Sequence, residues 1–286
     1  MAQHITTSRH DSPLGTWEIS MCTPHPRLAP LVAAIWYGAG SVRYQRDRIL
    51  PSGQSQLLIN LGPPQYRIDP GPPERRVAFR DVWYCPLQHT PIDTEAPHGQ
   101  ALLGIAFHAH GSFPWLGAAL GEAGGHIAPL ADLVGAGVLA LRERLLNTVS
   151  LEVRFRLVQE WIIRRMAQQL PAHPAVLWAV GRIVASEGRE PVDRLAAGAG
   201  YSRKHLAELF RRQVGMGPKE LARVMRFRAA LTLLQGRSAV PWAELANTCC
   251  YYDQSHLVND FRNFAGMTPT AFVRQQQPDS QSIVLS

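Results

Sequence analysis

The chain has 286 residues, 46% of them hydrophobic and 18% charged, enough for about two domains with sizeable cores. That balance excludes a disordered polyelectrolyte. Basic residues exceed acidic ones 29 to 22, and nearly all are arginine; Lys204 and Lys219 are the only lysines. The excess is uneven. Residues 171–286 hold 14 basic and 9 acidic side chains, an excess of 5, against an excess of 2 in residues 1–170. A polyanion is therefore expected to meet the C-terminal part.

The N-terminal MAQHITTSRHDSPLG has no apolar h-region. The apolar stretch LAPLVAAIWYGAG at 28–40 contains a proline and falls short of the ~20 residues that span a bilayer. A soluble, cytoplasmic chain with no membrane partner is expected. Residues 14–110 read as short strands, with TWEISM at 16–21, LLINL at 57–61 and ALLGIAF at 101–107 as apolar or alternating runs. PSG at 51–53, GPP at 62–64 and PGPP at 70–73 punctuate them with turn chemistry. This is the pattern of a small β-sandwich or barrel. From about 129 the period changes. Leu133, Leu141 and Leu145, then Phe155, Val158, Ile162 and Met166, argue two amphipathic helices. LPAHP at 170–174 reads as a linker, because two prolines in five residues stop a helix. A helix over 175–186 follows, ended at Gly188.

An internal repeat occupies the rest. LAAGAGYSRKHLAELFRRQVGMGP at 195–218 recurs as LANTCCYYDQSHLVNDFRNFAGMTP at 245–269, with one extra residue in the second turn. Both copies share Leu-Ala, a turn Tyr, His-Leu, Phe-Arg and Gly-Met-x-Pro, and ELARVMRFRAALTLL at 220–234 joins them as one helix. In each copy a small residue, Ala196 or Ala246, allows a second helix to cross closely. Gly200 suits the positive φ of a tight helix–helix turn, and Ser202 and Asp253 are good N-caps. Leu206 and Phe210, like Leu257 and Phe261, anchor the apolar side of the second helix. This is a helix-turn-helix, whose second helix (about 202–212 and 253–264) presents its N-terminal residues to major-groove base edges. Gln254 can pair bidentately with adenine, and Ser255, His256 and Asn259 can donate or accept at base edges. Arg203, Lys204 and Glu208 occupy the corresponding face of the first copy. Arg211, Arg212 and Arg262 lie further along, suited to phosphates, and the helix starts at Ser202 and Asp253 expose N–H groups that suit phosphate as well. A solvated helix face is the bland alternative for all of these. His205 and His256 align between copies, which leaves a shared cap-adjacent contact open beside base reading.

The two copies, the joining helix with Arg226 and Ala230, and the segment YYDQSHLVNDFRNFAGMTPTAFVR closely resemble the DNA-binding domain of the AraC/XylS family of bacterial transcription regulators. The resemblance covers roughly residues 172–275. It implies two recognition helices entering successive major-groove segments on one DNA face. Carried over by position, the base readers are Arg203, Lys204, Ala207 and Glu208, then Gln254, Ser255, His256 and Asn259, with Ala207 limited to a thymine methyl. Cys250 departs from the pattern, standing where the first copy has Gly200, so that its turn is either strained by roughly 1–2 kcal/mol or follows another path. LPSGQSQLLINLG, WYCPLQHTP and LLGIAFHAHG resemble the cupin-like N-terminal domain of one subgroup of these regulators, which implies effector binding or dimerisation.

The expected architecture is thus a β-rich cupin-like domain with trailing helices at 1–170, a tandem helix-turn-helix domain at 171–275, and a disordered tail at 276–286. The expected function is sequence-specific transcription regulation. The expected partners are promoter DNA, with RNA polymerase and a small-molecule effector as further candidates; activator or repressor, and monomer or homodimer, stay open. The alternative from another class is a cupin-like metal sensor or enzyme with an attached DNA-targeting domain, motivated by His108-Ala-His110 with His89 and His98 nearby in sequence. No carboxylate follows before Glu122 and Gly111 ends the strand, so no metal and no cofactor is expected. Cys22, Cys85, Cys249 and Cys250 form no C-x-x-C pair, and no catalytic motif is found. Trp36, Tyr37, Trp83, Tyr84 and Trp115 are candidates for a ligand pocket, against the commoner reading as core.

Overall fold

The computed structural model describes residues 4–95, 99–168, 170–234, 241–275, 277 and 281–285. The chain begins with β1 (Ile5–Ser12), β2 (Gly15–Cys22), β3 (Val32–Val42), β4 (Arg46–Ile49) and β5 (Ser55–Asn60). Next come β6 (Gln65–Asp69), β7 (Arg75–Phe79), β8 (Val82–Cys85), β9 (Ile92–Glu95) and β10 (Gln100–Phe107). Two short helices, α1 (Phe113–Leu116) and α2 (Ala119–Glu122), precede β11 (Ala128–Pro129) and the helices α3 (Leu130–Val134), α4 (Gly137–Leu146) and α5 (Leu151–Met166). The C-terminal part holds α6 (Pro174–Ala185), α7 (Val192–Gly198), α8 (Arg203–Gln213) and α9 (Pro218–Leu234). It continues with α10 (Trp242–Thr248), α11 (Gln254–Ala265), α12 (Pro269–Phe272) and a last strand, β12 (Ser282–Leu285).

The strands form two antiparallel sheets that do not close into a barrel, one ordered β1-β2-β3-β10-β5-β8-β11 and the other β12-β4-β9-β6-β7. In the larger sheet Ile105 lies between Ile35 and Leu57, and Leu103 opposite Ile59. Alternation sends these side chains to one face, where they join Trp115, Leu141, Leu145, Phe155, Val158 and Ile162 in one core. The expected spacing of α5 is thus used against the sheet, and Ser150 caps that helix by accepting from the Val153 N–H at 3.4 Å. The stretch 133–147, expected as one helix, is divided into α3 and α4 at Gly135, whose φ of +84° no helix accommodates. The strands expected at 16–21, 57–61 and 101–107 are β2, β5 and β10.

Two cores fill the C-terminal part. One gathers Val176, Val180, Ile183, Leu195, Leu206 and Phe210, and the other Phe227, Leu231, Leu245, Leu257, Phe261 and Phe264. Helix α9 feeds both, with Leu221 and Ala222 in the first and Met225 packed against it, and with Val224, Phe227, Ala230, Leu231 and Leu234 in the second. Each core also takes side chains from the β-rich part: Leu87 and Ala109 enter the first, Leu50 the second. The division at 170/171 is therefore crossed by shared packing.

The expected disordered tail is corrected over 282–285. That segment is β12, paired antiparallel with β4 from Ser282↔Ile49 to Leu285↔Arg46, and its Ile283 is fully buried in the second core. The polar run before it hides a short β-prone stretch, SIVL, for which β4 offers an open edge. Of the remaining tail residues, 276, 278–280 and 286 lie outside the described ones. Among the described residues no helix is long and apolar enough to cross a membrane.

Candidate nucleic-acid interface

Helices α7 and α8 form one helix-turn-helix, α10 and α11 the other, and the two turns close with the same hydrogen bonds. In the first, Gly200 N–H donates to Ala197 O and Tyr201 N–H to Ala196 O, both at 3.0 Å. In the second, Cys250 N–H donates to Asn247 O at 2.9 Å and Tyr251 N–H to Ala246 O at 2.8 Å. Ala196 and Ala246 are buried where the helices cross. Of the two possibilities for Cys250, the turn takes the same path: its φ is +54° against +74° at Gly200, so the residue is held in the left-handed region.

Each second helix starts on a side-chain cap. Ser202 Oγ accepts from the His205 N–H at 3.2 Å, and Asp253 Oδ1 from the His256 N–H at 2.7 Å. These two side chains, expected among the phosphate contacts, are thus spent on their own helices, and beyond them the exposed N–H groups remain for an anion. On α8, Arg203, Lys204, Glu208, Arg211 and Arg212 are exposed and Ala207 is half-buried. On α11, Gln254, Ser255, Asn259 and Arg262 are exposed. Leu206, Phe210, Leu257 and Phe261 are fully buried on the opposite side. Arg203 forks onto the Asp193 carboxylate of α7; both partners are exposed, so the pair holds Arg203 only weakly. The aligned histidines make a shared contact, His205 against Tyr201 at 4.6 Å between ring centroids and His256 against Tyr251 at 5.2 Å. His256 is half-buried by it, whereas His205 is exposed. Tyr252, the residue inserted in the second turn, stands 93% exposed beside the start of α11.

Two of three groups behind α11, the Asp260–Arg223 pair and Arg48, are absent from the sequence reading, and the third, Arg226, stands in it only as a mark of the joining helix. Asp260 is fully buried and accepts from Arg223 of α9, at 2.6 Å from Nη2 and 3.2 Å from Nε. Arg226 lies 5.6 Å over the Tyr251 ring. From the β-rich part, Arg48 donates to the Ala265 carbonyl at the end of α11, at 3.1 Å. A sequence signal existed for Asp260 alone. It precedes Phe261 on the apolar side of the helix, where the first copy has Leu209, and a charge there requires a buried partner.

Between the two sheets lies a cavity of about 290 Å³, lined by Trp17, Ile19, Trp36 and Leu102 from one sheet and by Asp47 and Ile49 from the other. Gly104 makes room for the Trp36 indole, with which a Cβ would collide. Of the five aromatic residues proposed for a pocket, Trp36 lines it; Tyr84 and Trp115 are instead fully buried in the core against the helices. His108 and His110 follow the end of β10 rather than sharing a strand face, their rings stacked at 6.0 Å. Burial lowers the pKa of both from the usual 6.5. No group of three His, Cys, Asp or Glu able to hold a metal occurs among the described residues; His98 lies outside them. Burial also pushes the Cys85 thiol up to about 12 and the Cys249 thiol to about 11, away from thiolate chemistry.

Residues 195–275 match the protein family described as "Helix-turn-helix domain", and residues 20–129 match a domain of unknown function, DUF6597. Among solved structures, a 1.65 Å structure of ToxT from Vibrio cholerae is 10% identical, with 84% of this chain and 97% of that one covered and a TM-score of 0.44. Unsaturated fatty acid-bound ToxT from Vibrio cholerae strain SCE256 is 8% identical, with 85% and 94% covered and a TM-score of 0.44. An oxalate decarboxylase of Bacillus subtilis with Mn(II) centres is 12% identical over 37% of this chain and 28% of that one, at a TM-score of 0.25. Comparison with curated proteins finds no match. Two capped, outward-facing second helices and the family match over them make residues 195–275 an AraC-type helix-turn-helix domain, and the protein is a DNA-binding transcription regulator.

Proposed function

We propose that α8 and α11 enter successive major-groove segments on one face of a promoter duplex, spaced by the single rigid helix α9. In this reading Arg203, Lys204, Ala207 and Glu208 read one block, and Gln254, Ser255 and Asn259 the other, with His256 contributing from its half-buried position. Arg211, Arg212 and Arg262, with the N–H groups after Ser202 and Asp253, grip phosphates and set the register. The observation that carries the reading is the duplicated device itself: two turns with matching hydrogen bonds and two capped helices, each with a polar exposed face. The faces differ in chemistry, so one chain reads an asymmetric site and no dimer is required. The β-rich part supplies regulation, with the mostly apolar cavity between the sheets as the place for a small ligand stacked on Trp36. The reading assigns the chain no reaction and places its work at the chromosome, in the cytoplasm, with RNA polymerase as the partner to be influenced.

Selection of binding sites from random duplexes at near-physiological salt tests this, since phosphate contacts make affinity salt-dependent. Two enriched blocks about one helical turn apart are expected. Gln254→Ala with Asn259→Ala should then weaken one block alone, by about 1–3 kcal/mol per good base contact. A footprint of the double variant that matches the unaltered protein at every base would remove those residues from the base-reading set.

A further inference from the structure

Strand β4 shows its two faces to two different structures. Asp47 and Ile49 line the cavity between the sheets, while Arg48 and, just beyond the strand, Leu50 meet the second helix-turn-helix. The strands on either side repeat this alternation. In β12, Ser282 lines the cavity and Ile283 is buried in the core behind α11. In β9, Thr94 lines the cavity and Asp93 holds Arg48. Register enforces the match, because Ser282 pairs with Ile49, Ile283 with Arg48, Asp47 with Thr94 and Arg48 with Asp93. With a side-chain period of two, cross-strand partners must share a face.

Arg48 is built to be rigid. Its Nε and Nη2 fork onto the Asp93 carboxylate at 2.6 and 2.7 Å, a bidentate geometry that leaves Nη1 aimed at the Ala265 carbonyl. Ala265 is the last residue of α11, where carbonyls lack intrahelical partners and the helix end carries partial negative charge. The next residue, Gly266, caps the helix at φ +71°, and a Cβ on it would collide with the Arg48 guanidinium. The glycine therefore serves both the left-handed cap and the approach of the arginine.

We propose that Arg48 is a positioning residue for the second recognition helix: it fixes the C-terminal end of α11 from a strand whose opposite face lines the cavity. The inference rests on α11 reading bases. It deepens the regulatory reading, because a ligand that moves Asp47, Ile49 or Ser282 then moves Arg48 and Ile283, and through them the angle at which α11 enters the groove.

The test titrates full-length protein with three duplexes: the selected site, the site with the α11 block scrambled, and the site with the α8 block scrambled. Arg48→Gln should bind the selected site about tenfold more weakly and lose little more when the α11 block is scrambled. Scrambling the α8 block should still cost that variant as much as it costs the unaltered protein. Arg48→Lys, which keeps the charge without the fork, should fall between the two and carries the test if the glutamine variant folds poorly. Hydrogen exchange gives a readout independent of DNA, with faster exchange expected at amides 263–267 in Arg48→Gln. An unaltered chain that discriminates both blocks, with Arg48→Gln matching it or losing equally at both, would overturn the inference alone. An unaltered chain indifferent to the α11 block would overturn the base-reading role of α11 and this inference with it.

Discussion

Replacing Cys250 by glycine isolates the cost of one backbone angle. Cys250 is held at φ +54° and its side chain is exposed, so removing that side chain surrenders no packing. A non-glycine residue in this region costs about 1–2 kcal/mol. Glycine gives back about 0.4–1 kcal/mol of that by loosening the unfolded chain, so Cys250→Gly should stabilise by about 0.5–1 kcal/mol. Gly200 supplies the mirror experiment. A Cβ built there meets nothing within 4 Å, so Gly200→Ala adds the same backbone cost without a clash and should destabilise by about 0.5–1 kcal/mol. Urea denaturation of the two variants and the parent reads both changes as shifts of the midpoint at constant slope. The melting temperature should move by about 1–4 °C in opposite directions. Neither substitution touches a base-directed side chain, so DNA affinity should stay at the parent value. A Cys250→Gly chain that is no more stable than the parent, alongside a destabilised Gly200→Ala chain, would refute the claim that the second turn carries this strain.

Further outcomes follow from the same geometry. Asp260→Ala strands Arg223 behind α11 without its carboxylate, and stability measured by urea should fall by about 3 kcal/mol. Asp253→Ala and Ser202→Ala each remove a helix cap and should each cost about 1 kcal/mol, seen as lower urea midpoints with normal slopes. His108 and His110 have folded pKa values lowered by burial, so the unfolded chain takes up protons first as pH falls below 6.5. The stability they contribute is full above that pH and lost as pH falls through their folded values. Urea midpoints at pH 7.5 and 5.5 should therefore converge when both histidines are changed to glutamine, and an unchanged gap would show that other groups carry the acid sensitivity.

Local chemistry carried the helix-turn-helix units. Leu206 with Phe210, Leu257 with Phe261, the caps Ser202 and Asp253, and Gly200 all act within one or two turns of chain, where spacing and residue type decide the structure. The same holds for β2, β5 and β10, whose apolar runs face a core. Strands β4, β6, β7 and β9 escaped that reading because they carry ion pairs such as Arg48–Asp93, Arg67–Asp69 and Arg76–Glu95 where apolar alternation would be the signal. What only the tertiary structure decided is long-range pairing. Asp260 meets Arg223 across 37 residues, and Arg48 meets Ala265 across 217. Strand β12 exists because β4 offers an unpaired edge to a segment more than 230 residues further along. Nothing in SIVL names its partner, since a strand edge recognises backbone hydrogen-bonding groups that every residue but proline shares.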